Sequence, residues 1–486
     1  MHSEEIAELM AKQICHECIG EEYLSKAVAT NGVAAKCDYC GQTAASWRLD
    51  KLADRVETAF EHHYIRTTDQ PESWHERLMA DRESNYEWFR EGQATVEAFQ
   101  EAAEIGQEIA EDVQSILDNK YSHYDPSDMD VETEFSADCH YEEKRATDTT
   151  WQEDWRDFEK SIQSEARFFS RTAAAHLTKV FGHIDSLKTI NNKPLIVNAG
   201  PQFALNHLFR ARVFQSEDPL LKALSRPDLE LGPPPARYAS AGRMNAQGIS
   251  VFYGATSLDS ALAEVRPPVG SRVAIAKFNM IRPLRLLDLT ALEHACDIGS
   301  IFDPTLKDRL ERVAFLRSLG KRMTRSVMPD DQAHDYLATQ AIADFLATEN
   351  RPTLDGIVFQ SAQAKDGRNV VLFHKASKVE GMPIPKGAKI SASSGYGTDD
   401  GYEIDYSVSE EIAEAPAEDA QGRDSKYDEL LAFISAMQDL DPRDDTLCVV
   451  PDSVEVHLVD WVQVHCTNFP VSRRRYERPK YLNNDF

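Results

Sequence analysis

The sequence contains no apolar run long enough to cross a membrane. A spanning helix needs about 18 or more consecutive apolar residues, and the chain has no such run. Its first ten residues, MHSEEIAELM, also lack the basic and apolar regions of a secretory signal. These absences predict a cytoplasmic protein that makes no membrane contact.

Basic residues are scarce relative to acidic ones. Lysine and arginine number 53 and aspartate and glutamate 81, which gives a formal net charge of −28. Non-specific binding to nucleic acid or to an anionic membrane needs a basic face, so the composition disfavours both partners. A local basic pocket remains compatible with this average. We interpret the short patch RRRYERPK near the C-terminus as a solvated tail.

The pattern along the 486 residues divides into four parts. We predict a zinc-ribbon module at 1–47, a helical bundle at 48–190, a mixed α/β domain at 195–400, and an acidic linker with a short helix and strand at 401–486. The predicted fold class is therefore α+β.

Cysteine is rare, and four of the eight cysteines are spaced like metal ligands. Cys15 and Cys18 form one C-x2-C pair, Cys37 and Cys40 form another, and 18 residues separate the pairs. Two such pairs can close a tetrahedron around zinc, which would stabilise a segment too small to fold alone. His16 is an alternative ligand. Because four thiolates leave no open position, we predict a structural zinc and no catalysis there.

Amphipathic helices dominate the second part of the chain. Leu52, Val56 and Phe60 recur at helical spacing, and a further predicted helix covers 151–185. Such stripes need partner helices. We predict that 121–150 is mostly loop.

Short β-rich runs begin past residue 194. The predicted strands cover 249–255, 273–278, 356–360, 369–373 and 454–466, and the predicted helices cover 257–265, 331–346 and 427–437.

Several fragments in this region carry a family resemblance. In chain order they are LFRAR (208–212), GRMN (242–245), VFYGA (251–255), ALAEV (261–265), DGI with a following SA (355–362), and NVVLF (369–373). Together they resemble the RES domain family over about a third of the chain. Met244 stands where that family usually has an aromatic residue. The cysteine segment and helices ahead of this region are similar to the HEPN/RES N-terminal domain.

The resemblance implies an ADP-ribosyltransferase-like fold that breaks down NAD+. RES domains are often toxins of toxin–antitoxin pairs that deplete NAD+, and some ADP-ribosylate proteins. The expected substrate is thus NAD+, and an antitoxin or regulatory protein is a possible partner.

The chemistry of the matching residues agrees with the breakdown of NAD+. Breaking the nicotinamide–ribose bond places positive charge on the ribose, which a carboxylate stabilises, and Glu264 is the candidate. Tyr253 could stack on nicotinamide or bound the ribose.

Two arginines are candidates for the substrate pyrophosphate. The guanidinium groups of Arg210 and Arg243 match phosphate in a bidentate fork. Ser361 could orient the ribose or Glu264 by hydrogen bonding, and Asn245 is a candidate polar contact with NAD+. No G-x-G-x-x-G loop follows a strand, so a Rossmann mode of binding is not predicted.

Two alternatives belong to other classes. Arg171 and His176 fit the R-x4-H motif of HEPN ribonucleases, although five residues of helix turn the pair about 140° apart. The chain could also be a non-catalytic zinc-ribbon interaction protein with an inactive RES region.

Overall fold

The computed structural model describes residues 3–81, 84–122, 132–164, 170–325, 327–385, 388–399, 401–412 and 441–476. The predicted helix at 427–437 lies outside these residues, as do most of the acidic linker and the end of the basic tail. Within the described residues, no helix combines the length and apolarity that crossing a membrane requires.

The described residues up to 143 form helices around two small sheets. The helices are α1 (Ser3–Ala11), α2 (Glu22–Asn31), α3 (Leu49–His63), α4 (Ser73–Ala80), α5 (Thr95–Ala103) and α6 (Gln107–Tyr121). The strands are β1 (Gln13–Cys15), β2 (Val33–Lys36), β3 (Thr43–Arg48), β4 (Tyr64–Arg66), β5 (Gln93–Ala94) and β6 (His140–Glu143). They pair in the orders β1-β3-β2 and β4-β6-β5, so part of the predicted 121–150 loop is strand.

The cysteine segment and the helices after it share one core, which we call the N-terminal core. Ile14 and Trp47 pack in it with Phe60 of α3 and Phe99 of α5. The rings of Phe60 and Phe99 meet edge to face with centroids 4.7 Å apart. The predicted modules 1–47 and 48–190 therefore do not have separate interiors at this junction.

The remaining helices surround a large mixed sheet. They are α7 (Thr149–Ser164), α8 (Arg171–Phe181), α9 (Glu217–Ser225), α10 (Pro227–Glu230), α11 (Leu258–Glu264), α12 (Leu289–Leu292), α13 (Leu306–Thr324) and α14 (Gln332–Thr348). The predicted helix at 151–185 thus corresponds to α7 and α8.

The strands of this second part are β7 (Lys188–Thr189), β8 (Ile196–Ala199), β9 (His207–Phe214), β10 (Phe252–Ala255), β11 (Arg272–Met280), β12 (Leu284–Asp288), β13 (Ala295–Cys296), β14 (Gly356–Gln360), β15 (Arg368–Leu372), β16 (Val379–Glu380), β17 (Lys389–Thr398), β18 (Gly401–Glu411) and β19 (Leu447–Leu458). Nine of them form one sheet in the order β16-β19-β11-β9-β10-β15-β14-β12-β8. β17 and β18 pair as a hairpin, and β7 pairs with β13.

The buried core does not divide at the predicted boundary near residue 190. Trp155 of α7 and Phe181 of α8 lie in the same core as Leu287 of the sheet and Phe315 of α13. The rings of Trp155 and Phe315 have centroids 5.6 Å apart. Two helices assigned from sequence to the helical bundle therefore pack on α13 and α14 and share a core with the large sheet. Their apolar stripes predicted burial but could not identify the surface that buries them.

The last strand belongs to the large sheet rather than to a separate extension. β19 runs antiparallel to β11, with Leu458 opposite Arg272 at the end of the pairing. The predicted strand at 454–466 is therefore displaced, because β11 offers no partner beyond Arg272. Leu447 is fully buried and anchors the other end of β19.

Gly356 lies where two strands of this sheet pack closely. A Cβ atom there would lie 2.2 Å from the carbonyl oxygen of Val371 on β15. We expect Gly356→Ala to destabilise the fold by about 1–3 kcal/mol, because the backbone must move to accommodate the methyl group. Chemical denaturation measures this change. At Gly381 a Cβ would meet no atom within 4 Å, so Gly381→Ala is the matched control.

Candidate active site and cysteine cluster

A cleft of about 440 Å³ opens where β9, β10 and α11 approach the start of α14. Four residues singled out from the sequence line it: Arg210, Arg243, Tyr253 and Glu264. More than 50 residues of sequence separate Arg210 from Glu264, and the four residues come from two strands, a loop and a helix. The fold therefore brings together the groups that the motif order predicted.

Arg210 presents an unpaired guanidinium nitrogen. It lies on β9 with its guanidinium carbon 5.0 Å from the ring centroid of Phe252. Its Nη1 atom is buried and has no hydrogen-bond partner among the described residues. Burial, with a smaller effect of Arg212, lowers the pKa of Arg210 to about 10, so the group remains cationic at neutral pH. An unpaired buried donor is costly, and an anion in the cleft would satisfy it.

Arg243 is held by the end of α13. Its Nη1 donates to the carbonyl oxygens of Met323 at 2.6 Å and Arg325 at 2.8 Å. These contacts place a cation at the negative end of the helix dipole. Its guanidinium carbon lies 5.4 Å from the ring centroid of Tyr336, which also lines the cleft. Both bonds use Nη1, and the other guanidinium nitrogens make no hydrogen bond to a described residue, so they can bind a ligand.

The hydroxyl of Tyr253 is occupied by the neighbouring loop. It donates to Oδ1 of Asn245 at 3.0 Å and accepts from the backbone N–H of Met244 at 3.0 Å. Burial raises the pKa of Tyr253 to about 12, so the phenol stays protonated and does not act as a base. The side chain offers the cleft its ring.

Asn245 does not line the cleft, contrary to its predicted contact with NAD+. It is 4% exposed, and its amide nitrogen donates to three backbone carbonyls, those of Ser240, Ala246 and Ile249. Its oxygen accepts from the Tyr253 hydroxyl, so both polar atoms of the amide bind within the protein. Its position fixes the loop and the tyrosine. The sequence could not distinguish this internal role from a ligand contact.

Glu264 is the last residue of α11, whose first turn is capped by Ser257. One carboxylate oxygen, Oε1, accepts from the Ser361 hydroxyl at 2.5 Å and from Nδ2 of Asn369 at 2.7 Å. Both donors are buried, whereas Glu264 itself is exposed to the open cleft. The carboxylate is therefore held through one oxygen, and the other has no hydrogen-bond donor among the described residues.

Asn369 is a site residue that sequence reasoning missed. It lies in β15, lines the cleft and is 6% exposed. The available signal was a polar amide in the otherwise apolar run NVVLF, at a position expected to be buried.

The four predicted metal ligands converge. The sulfur atoms of Cys15, Cys18, Cys37 and Cys40 all lie within 4.8 Å of one another. The sulfur of Cys15 is 3.6 Å from those of Cys18 and Cys40, and the Cys18 and Cys37 sulfurs are 3.7 Å apart. Tetrahedral zinc thiolates with bonds of about 2.3 Å have sulfurs about 3.8 Å apart, so the cluster fits the zinc motif.

His16 is not part of this cluster. Its Nδ1 lies 3.4 Å from the carbonyl oxygen of Ala45 instead. Within the residues that the structure describes, the four cysteines are the only group arranged to hold a metal ion.

The alternative ribonuclease pair does not form one site. Arg171 is exposed at the start of α8, and His176 stacks on Phe158 with ring centroids 5.3 Å apart. Burial lowers the pKa of His176, and its Nε2 has no partner. The cavity beside His176 is not lined by Arg171.

The geometry defines an α+β protein whose cleft combines two guanidinium groups with an anchored carboxylate. Residues 211–393 match the family model described as "RES domain". The RES family is associated with enzymes that use NAD. The match begins next to Arg210 and includes Arg243, Tyr253, Glu264 and Ser361.

No curated protein matches the chain, and no solved structure does. The resemblance of the N-terminal part to HEPN-type domains stays a prediction, since the family match begins only at residue 211.

Proposed function

We propose that the RES domain cleaves NAD+ at the bond between ribose and nicotinamide. The observation that carries this proposal is the convergence of Arg210, Arg243 and Glu264 on one cleft, with the carboxylate held by two buried donors. A dinucleotide needs both kinds of group, because it carries an anionic pyrophosphate and develops positive charge on a ribose when this bond breaks.

The arginines bind the pyrophosphate in this proposal. The buried Nη1 of Arg210 supports an anionic occupant, since no group in the described ranges accepts a hydrogen bond from it. Arg243 approaches from the α13 side, so the two cations would hold phosphates from different walls. Together they supply a local positive potential in a chain whose net charge is −28.

Glu264 stabilises the reacting ribose. As the bond between C1′ and the nicotinamide nitrogen breaks, its electron pair goes to that nitrogen and nicotinamide leaves as a neutral molecule. No strong general acid is needed, and the negative carboxylate opposes the positive charge on the ribose. The ring of Tyr253 bounds the ribose or stacks on nicotinamide. ADP-ribose then passes to water, phosphate or a protein side chain.

Ser361 and Asn369 are positioning residues for that carboxylate. We expect Ser361→Ala and Asn369→Ala each to lower kcat for NAD+ cleavage about tenfold, because Glu264 loses one of its two donors. The KM for NAD+ should change little, since neither residue holds the phosphates. Steady-state kinetics separate the two parameters.

A conservative variant of Ser361 distinguishes a change in the orientation of Glu264 from a folding defect. Ser361→Thr retains the hydroxyl and should recover most of the kcat lost in Ser361→Ala. A larger effect on KM than on kcat would contradict the positioning role.

The cysteine cluster holds a structural zinc in this proposal. Four thiolates complete a tetrahedral shell and leave no position for substrate. The cluster and the N-terminal core would then act as a recognition or regulatory part. We infer a cytoplasmic toxin or defence effector, which an antitoxin or regulatory protein restrains.

The decisive experiment is product identification after incubation of the full-length protein with NAD+, with and without phosphate. Equimolar nicotinamide and ADP-ribose indicate transfer to water, a phosphorylated ADP-ribose indicates transfer to phosphate, and a modified protein indicates transfer to a side chain. NAD+ that stays intact under all conditions contradicts the proposal. Cleavage of RNA that depends on His176 would instead favour the ribonuclease alternative, and a folded protein inert in both assays the non-catalytic one.

A further inference from the structure

A second, smaller cavity lies between the N-terminal core and the start of α13. Its volume is about 110 Å³. Basic side chains dominate its lining, and one carboxylate accompanies them: His62, His63, Lys144, Arg145, Lys307 and Glu311. They come from the end of α3, the segment after β6 and the first turns of α13. No sequence motif and no part of the proposed reaction accounts for this cluster.

The basic groups of this cavity are unpaired within the part of the chain that the structure describes. Among the described residues, none of the five makes a side-chain hydrogen bond to, or an ion pair with, a protein group. His63 is only 8% exposed and lines this cavity. Five basic groups therefore face one carboxylate, that of Glu311, across the cavity, and their mutual repulsion is only partly compensated.

The electrostatic environment of His63 shows this repulsion. Its pKa is lowered first by burial and then by the positive charges of His62, Lys307 and Lys144. A bound anion would remove the repulsion between these groups and supply acceptors to their donors.

We propose that this cavity binds a single phosphate group, either as free orthophosphate or as the terminal phosphate of a small metabolite. The volume of about 110 Å³ is several times what one water molecule requires, yet about a quarter of the cleft. It therefore suits one tetrahedral oxyanion rather than a whole dinucleotide.

The cavity is distinct from the proposed catalytic cleft. Lys307 belongs to the first turn of α13, whereas the carbonyl oxygens that hold Arg243 lie at the other end. A helix of 19 residues is about 28 Å long, so a phosphate here does not contact the cleft.

Calorimetric titration of the full-length protein with orthophosphate, without NAD+, tests the proposal. We expect saturable binding and a rise in unfolding temperature that follows occupancy. Lys307→Gln and Arg145→Gln should each weaken binding at least about tenfold, because each removes one charged contact. Lys321→Gln, which removes an exposed lysine of the same helix outside the cavity, should leave the affinity unchanged. AMP compared with adenosine distinguishes a metabolite-borne phosphate from the free ion.

The contrary results are equally specific. Binding that Arg210→Gln abolishes and Lys307→Gln does not would place phosphate in the cleft and overturn the proposal. A stabilisation that grows linearly with phosphate and is equal in all variants would be a general salt effect, and would also overturn it. Because Arg210 lines the cleft and Lys307 lines this cavity, the two variants separate a failure of this proposal from a failure of the proposed NAD+ cleavage.

Discussion

Replacing Glu264 with glutamine should reduce NAD+ turnover by about 100- to 1,000-fold. Losing one preorganised electrostatic contact to a developing charge has an effect of this size in other enzymes. Glutamine has nearly the same shape and can still accept from Ser361 and Asn369, so the local structure should persist. What disappears is the negative charge opposite the ribose. Nicotinamide release, followed under saturating NAD+, measures the effect directly.

The matched control for this substitution lies on the same helix. Asp259 is an exposed acid in the first turn of α11 and does not line the cleft. Asp259→Asn removes the same charge from α11, and turnover should stay within about twofold because exposed charges act weakly at a distance. A Glu264→Gln protein that folds normally and keeps more than a tenth of the turnover would remove Glu264 from the proposed role.

The candidate cleft was largely predictable because its residues lie in short motifs with a fixed order. Arg210, Tyr253 and Glu264 each occupy a fragment that is weak alone, and the ordered set of fragments is specific. Asn245 also lies in such a motif, but its carbonyl partners are set by the path of the loop. A motif states which residue types are present and leaves open whether a polar atom faces the ligand or the protein.

The packing between parts of the chain was much less predictable. The stripe on α7 shows that Trp155 is buried, yet only the tertiary structure shows that Phe315 of α13 covers it. Because α7 and α8 contribute to the core of the large sheet, a protein truncated near residue 195 would lose both helices and expose that core. Point substitutions in the full chain are therefore the proper test of whether the N-terminal part controls the cleft.

The second large effect that we expect follows from removing the metal of the cysteine cluster. The full-length protein should contain one zinc ion per chain, measured by elemental analysis, and Cys37→Ser should lose it. Structural zinc binding supplies about 10–16 kcal/mol in small zinc domains, so the N-terminal core should lose cooperative folding. Cys37 is fully buried beside that core, in which Ile14 also lies. Differential scanning calorimetry should show an early transition that the zinc-loaded protein lacks.

The remaining part of the protein should respond differently, because the large sheet has its own cores. Its unfolding transition should persist in Cys37→Ser. Phe302, just before α13, packs in the N-terminal core, so part of the destabilisation should also reach this transition. Cys466→Ser, which changes an exposed cysteine outside the cluster, is the control and should alter neither zinc content nor unfolding. If Cys37→Ser and the wild type unfold alike and hold no zinc, then buried thiols rather than a metal stabilise this segment.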